Sequence, residues 1–286
     1  MKRLLIVFLC IICLSCTMGD DISGYNLIEY DSVLNTAGPS QTVKICFIHH
    51  STGSDWISSS SGGLGTALNQ NNYYVSECDY GWSAQAGDEL GNRTDTGDWS
   101  SWFNDEKMPY VYANTAHYDY DNTLQEAAGE NEIIMFKSCF PNSEVGSSIT
   151  DEKEIYNSLL QYFSQHTDKM FILVIPPPEI DISSAELTRD LSQWLVDRTN
   201  GWLASYAYNN VYAFNYYNIL TDPNNHHYVG NNGKEQNVIT PNPAKPLRAH
   251  ELYYPSGDDH PNDEGQKKAT KEFITLLNGW YNTWKK

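Results

Sequence analysis

The chain has 286 residues, 40% of them hydrophobic and 19% charged, enough apolar material for a core and unlike a disordered segment. Thirty-six acidic side chains against 18 basic ones give a formal charge of −18. No basic footprint exists to neutralise phosphates, so nucleic acid is excluded as an expected partner.

The predicted elements begin with a leader. Lys2 and Arg3 precede an apolar run from Leu4 to Leu14, and a small residue, Ser15, stands before Cys16. A basic start and an apolar run shorter than the roughly 20 residues that span a bilayer read as an export signal. Leu14-Ser15-Cys16 resembles the end of a bacterial lipobox, which would make Cys16 the lipid-bearing first residue of the mature chain; plain secretion is the alternative. Residues 1–16 are thus expected to be leader, and the polar, Gly/Ser/Asn-rich residues 17–41 a flexible tether. Residues 42–286, undivided by repeats or low-complexity linkers, are expected to form one domain.

Val43–His49 is a short apolar run rich in β-formers, the mark of a strand buried on both faces. A short helix over Gly62–Asn69 and a strand over Tyr73–Cys78 follow. Residues 79–130 are aromatic and Gly-rich without clear periodicity, expected to wrap the domain and build its substrate face. Strands are predicted at Ile133–Lys137, Met170–Ile175 and Val211–Phe214. Helices are predicted at Asp151–Gln165, at Ser184 to about Ala207 with Ser183 or Ser184 as N-cap, and from about Asn262 to Trp284. Residues 221–256 read as a second irregular insertion. Strands alternating with helices imply an α/β three-layer sandwich, a mainly parallel five-stranded sheet with helices on both faces and ligands at the carboxyl ends of its strands. Cys46, Cys78 and Cys139 show no zinc-knuckle or Cys-x-x-Cys spacing and are expected as buried free thiols with at most one disulfide.

Candidate chemistry sits at two ends of the chain. Phe47-Ile48-His49-His50-Ser51-Thr52-Gly53 leaves the first strand, and Gly257-Asp258-Asp259-His260-Pro261-Asn262 precedes the last helix. A parallel sheet can bring them together. Serine is a weak nucleophile until a base takes its proton, and a histidine oriented by a carboxylate can do so.

This order, an early Ser and a late Asp/His-Pro-Asn before the terminal helix, resembles the SGNH (GDSL-like) hydrolase superfamily. More narrowly, the first block FIHHSTG, TDTGDW at 94–99, KSCFPNS at 137–143 and GDDHPN resemble an exported bacterial subgroup of it. The resemblance spans roughly residues 43–285. It implies a flavodoxin-like fold and hydrolysis of an ester, often an acetyl group on a sugar, without a cofactor. Ser51 would be the nucleophile and His260 the base. Ser51 and Gly81 amides with the Asn142 side chain would form the oxyanion hole, Gly87 and Gly91 standing behind Gly81, and Ser143 rivalling Asn142. The sequence departs from the family at three places. His49-His50 replaces Gly-Asp before the serine, Lys137–Ser143 replaces Gly-x-Asn-Asp, and Gly257 stands where the family has its acid. Asp258, Asp259 or a backbone carbonyl must therefore orient His260.

His50, Trp82, Lys137, His226, His227 and Arg248 are the side chains expected to contact substrate, and Tyr80, Trp99 and Trp102 are either core residues or sugar platforms. No metal is expected, because neither His-x-x-x-His nor His-Glu-x-x-His spacing occurs. Expected partners are a carbohydrate or acylated polysaccharide substrate, and a membrane only through a lipid anchor. Two alternatives remain open on the same fold: glycoside hydrolysis by carboxylates drawn from Asp95, Asp98, Asp258 and Asp259, and a non-catalytic glycan-binding lipoprotein.

Overall fold

A computed structural model describes residues 26–140 and 148–286. Its first element corrects the tether expected at 17–41: residues 26–33 form strand β1 (Asn26–Val33). β1 pairs antiparallel with β8 (Lys234–Ile239), which also pairs with β7 (His226–Val229), giving a small sheet in the order β1-β8-β7. The second irregular insertion therefore contains a two-stranded hairpin, β7 and β8. The expected leader and Cys16 lie outside the described residues.

The five buried apolar runs form the main sheet. Strands β2 (Val43–Ile48), β3 (Tyr73–Cys78), β4 (Ile133–Phe136), β5 (Met170–Val174) and β6 (Val211–Phe214) are parallel, in the order β3-β2-β4-β5-β6, and buried throughout. Successive side chains point to opposite faces. Ile45, Phe47 and Ile172 join one core with Trp56, Leu68, Phe273, Leu276 and Trp280. These last residues come from α1 (Thr52–Ile57), α2 (Leu64–Gln70) and α8 (Asp263–Trp284). Cys46, Ile48, Phe171 and Leu173 join the opposite core with Phe163 and Leu191, from α5 (Thr150–Gln165) and α6 (Ala185–Val196). The wrapping segment 79–130 adds α3 (Trp99–Trp102) and α4 (Met108–Tyr112) to that side, and α7 (Tyr216–Thr221) follows β6. This is a flavodoxin-like α/β sandwich.

α6 stops well short of the expected Ala207. Asp197 Oδ1 accepts the amides of Thr199 (2.8 Å) and Asn200 (3.1 Å), a local turn that competes with the helix ladder. Ser184 does precede α6, but its hydroxyl makes no capping bond. Cys46 on β2 and Cys78 on β3 are diagonal neighbours with sulfurs 3.6 Å apart, and both are free thiols, as is Cys139. Among the described residues no helix is long and apolar enough to cross a membrane.

What the topology contributes to function is a crevice. β2 lies between β3 and β4, so the chain leaves it to either side, and the loops after β2 and β4 part at the carboxyl edge. Ser51 follows β2.

Candidate active site

Ser51 stands between β2 and α1 with φ 39° and ψ −94°, a conformation that side-chain-bearing residues rarely hold. The Gly53 amide donates to the His50 carbonyl (2.6 Å), and the Asp55 amide to the Ser51 carbonyl (3.1 Å). Only glycine fits at 53, because a Cβ there would lie 2.5 Å from His49 Cβ. This tight strand-to-helix turn presents the Ser51 hydroxyl at the sheet edge, where it is hydrogen-bonded to His260 Nε2.

His260 is held by the loop entering α8. Pro255 and Pro261 form a bridge, and the Ser256 amide donates to the His260 carbonyl (2.9 Å). Asn262 then caps α8, its side chain accepting the amides of Glu264 (3.0 Å) and Gly265 (3.2 Å). Of the three expected orienters, the structure brings Asp258 to the ring. Its Oδ1 lies 3.0 Å from His260 Nδ1 and accepts the His260 amide (2.9 Å) and the Ser256 hydroxyl (3.0 Å). These bonds, the amide's first, hold the Asp258 carboxyl below its usual pKa. An ionised Asp258 can only accept, so Nδ1 carries the hydrogen and the Nε2 lone pair faces Ser51. Phe140, after β4, stands edge-on to the ring at 5.6 Å. Asp258 is 69% exposed, so its charge is more screened than that of a buried acid.

Asp259 turns the other way: its Oδ1 accepts the Ile180 amide at 2.7 Å, tying this loop to the segment after β5. The two aspartates thus do not converge as a carboxylate pair, and Asp95 Oδ1 accepts the Ser138 hydroxyl (3.3 Å).

Several expected roles are corrected. The Gly81 amide is already donated to Asn92 Oδ1 (2.8 Å), so it is not free to hold an oxyanion. Asn142 and Ser143 lie outside the described residues. Trp82 is buried, stacked on Trp102 and bonded through Nε1 to Asn114 Oδ1 (3.1 Å); with Trp99 and Trp102 it belongs to the core. Lys137 is fully buried. Its ammonium donates to Thr52 Oγ1 and to the carbonyls of Ser138 (2.8 Å) and Cys139 (3.2 Å), leaving nothing for an anionic substrate. It fastens the start of α1 to the loop after β4, and burial lowers its pKa to about 8.

His226 and His227 lie in β7, where their partners are Glu272 Oε1 (2.7 Å) and Glu235 Oε1 (3.1 Å). Arg248 pairs with Glu251 (2.8 Å). None of the three contacts Ser51 or His260. His50 does border the turn: its Nε2 is bonded to the Gly91 carbonyl and its ring stacks on Tyr80 at 4.0 Å. Tyr80 is exposed, an aromatic face one residue removed from the nucleophile.

Sequence reasoning missed Ser256 and Phe140, whose roles depend on loop geometry. It also missed a second cluster at the ends of β2 and β3, where His49, Asp79 and Asp119 converge. These come from three separate segments, so no motif spacing could reveal them.

No protein-family model and no curated protein matches the sequence. Among solved structures, the chain compares with that of a putative acylhydrolase from Bacteroides fragilis NCTC 9343 at 10% identity and a TM-score of 0.43, over 86% of this chain and 90% of that one. The chemistry is therefore read from the side chains themselves.

Proposed function

We propose that the protein is an exported serine hydrolase of the SGNH type that removes an acyl group, an O-acetyl ester on a carbohydrate, through an acyl-enzyme. One observation carries this reading: Ser51, His260 and Asp258 form a continuous hydrogen-bonded chain on a strained turn at the switch point of a parallel sheet.

In the reaction, Ser51 Oγ attacks the acyl carbonyl as His260 Nε2 takes its proton, and Asp258 stabilises the resulting imidazolium. The tetrahedral adduct collapses, and the departing sugar hydroxyl receives that proton. Water then gives a proton to Nε2 while attacking the acyl carbon, and release of the acid restores Ser51. The Ser51 amide and Asn142 are the oxyanion donors in this scheme, each worth about 100- to 1,000-fold in rate. The Gly81 amide joins them only by giving up Asn92. A neutral acylated sugar suits the surroundings better than an anionic one, since Lys137 is enclosed, the chain carries a charge of −18, and Tyr80 offers a stacking face. Export through residues 1–16, with lipid on Cys16, completes the proposal; labelled fatty acid should be incorporated, and not by Cys16→Ala.

The test is covalent trapping. A fluorophosphonate probe should add once to the full chain, on the peptide containing Ser51, and leave Ser51→Ala unmodified. Labelling that persists in Ser51→Ala, or none in the wild type, counts against the nucleophile assignment.

A further inference from the structure

Behind the nucleophile turn, one ligand-capable atom from each of His49, Asp79 and Asp119 lies within 4.8 Å of the others. Two side-chain atoms of these residues, His49 Nδ1 and Asp79 Oδ1, are buried with no hydrogen-bond partner. Their residues are 0% and 6% exposed. Buried polar atoms are paired almost everywhere in native proteins, so two orphans on residues that converge call for an occupant.

Glu77 decides which imidazole nitrogen is available. Its carboxylate is 3.3 Å from His49 Nε2, and also accepts the amides of Tyr118 (3.0 Å), Asp119 (3.2 Å) and Tyr120 (3.3 Å). Because a carboxylate accepts, Nε2 carries the hydrogen and Nδ1 presents a lone pair, the arrangement that orients metal-bound histidines. The same carboxylate fixes the backbone on which Asp119 stands. Nδ1 lies against the first turn of α1, since a Cβ on Gly53 would approach it to 3.0 Å. The next residue, Ser54, donates its hydroxyl to Asp79 Oδ2 (3.3 Å), leaving Oδ1 open.

We propose that His49 Nδ1, Asp79 Oδ1 and the Asp119 carboxylate form a binding site for one zinc ion. Tetrahedral zinc with ligand distances of about 2.0–2.2 Å spaces its ligand atoms about 3.3–3.6 Å apart, inside the 4.8 Å that bounds the atoms of this cluster, so binding draws the exposed Asp119 carboxylate inward. One neutral imidazole and two carboxylates balance a divalent charge. The nitrogen ligand favours zinc over magnesium or calcium, which prefer oxygen alone. Bound there, the ion fastens the ends of β2 and β3 to the segment around Asp119, two residues before Ser51. The site stands independently of the esterase reading.

The test uses the full chain, stripped with a chelator and titrated calorimetrically with zinc chloride at about 150 mM salt, which suppresses diffuse attraction to the acidic surface. One equivalent should bind with a micromolar or lower Kd and raise the melting temperature. Asp79→Asn and Asp119→Asn should each weaken binding by about tenfold or more. Asp263→Asn, a change at a surface carboxylate elsewhere, should bind as the wild type does. Asp119 is exposed, so its variant should fold even where His49→Gln does not. Absence of saturable binding, or equal binding by the wild type and both cluster variants, would overturn the site.

Discussion

Because Asp258 Oδ1 holds the His260 ring and amide while Asp259 Oδ1 holds the Ile180 amide, mutation can separate these neighbours. Asp→Asn in a buried triad costs about 10⁴-fold in kcat. Asp258 is largely exposed, and water can take part of its place, so Asp258→Asn should lower kcat by about 100-fold. Asp259→Asn should keep kcat close to wild type and cost about 1 kcal/mol of stability through the weakened bond to Ile180. Parallel kinetics on one ester check both; equal losses would contradict the assignment. The sequence left this choice open because adjacent aspartates before a histidine look alike. Only the loop's bend, closed by the Pro255–Pro261 bridge, sends their side chains apart.

At the level of elements, the nucleophile's position depends on α1, a helix of six residues that burial anchors. Trp56 is fully buried, stacks on Tyr216 (4.8 Å) and meets Phe273 edge-on (5.5 Å). Trp56→Ala should cost about 3–5 kcal/mol, measurable by urea denaturation. It should also depress kcat in the fraction that remains folded, since α1 carries the Ser51 turn. The main strands were legible because burial on both faces writes continuous apolar runs, as in Met170–Val174. α1 was not, because Thr52–Ile57 is under two turns long and shows no helical period. β1, β7 and β8 were missed for another reason. Their sheet is polar, built on Glu29, Gln236 and Asn237, and alternation cannot be read without apolar contrast.

Across the whole molecule, stability should have limits on both sides of neutrality. Burial alone would raise the Glu235 pKa, but Arg198, His227 and the Trp280 indole outweigh it and hold the carboxyl low. Its contribution is therefore present above the unfolded carboxylate pKa, near 4.3, and lost as pH falls further. On the alkaline side, burial lowers both Lys137 and Lys268 to about 8. From about pH 8 to 10 the unfolded chain holds protons that the folded one has released, so stability should rise. Above about pH 10 the trend reverses, because burial keeps Tyr30, Tyr73 and Tyr216 protonated only in the fold. Urea midpoints against pH should show this maximum, and Lys137→Met should flatten the rise toward it. The same scale explains what could be read of the site. Ser51 and His260 are 209 positions apart, yet each stands next to a predicted element end that a parallel sheet brings to one edge. Gly81 and Lys137 stand at such ends too, and only the folded contacts show that both are already committed.

The most direct measurement is p-nitrophenyl acetate hydrolysis by the wild type and Ser51→Ala, with folding matched by circular dichroism. The account predicts turnover by the wild type and its loss, by about 1,000-fold or more, when the hydroxyl is removed. Equal turnover in both proteins would contradict it.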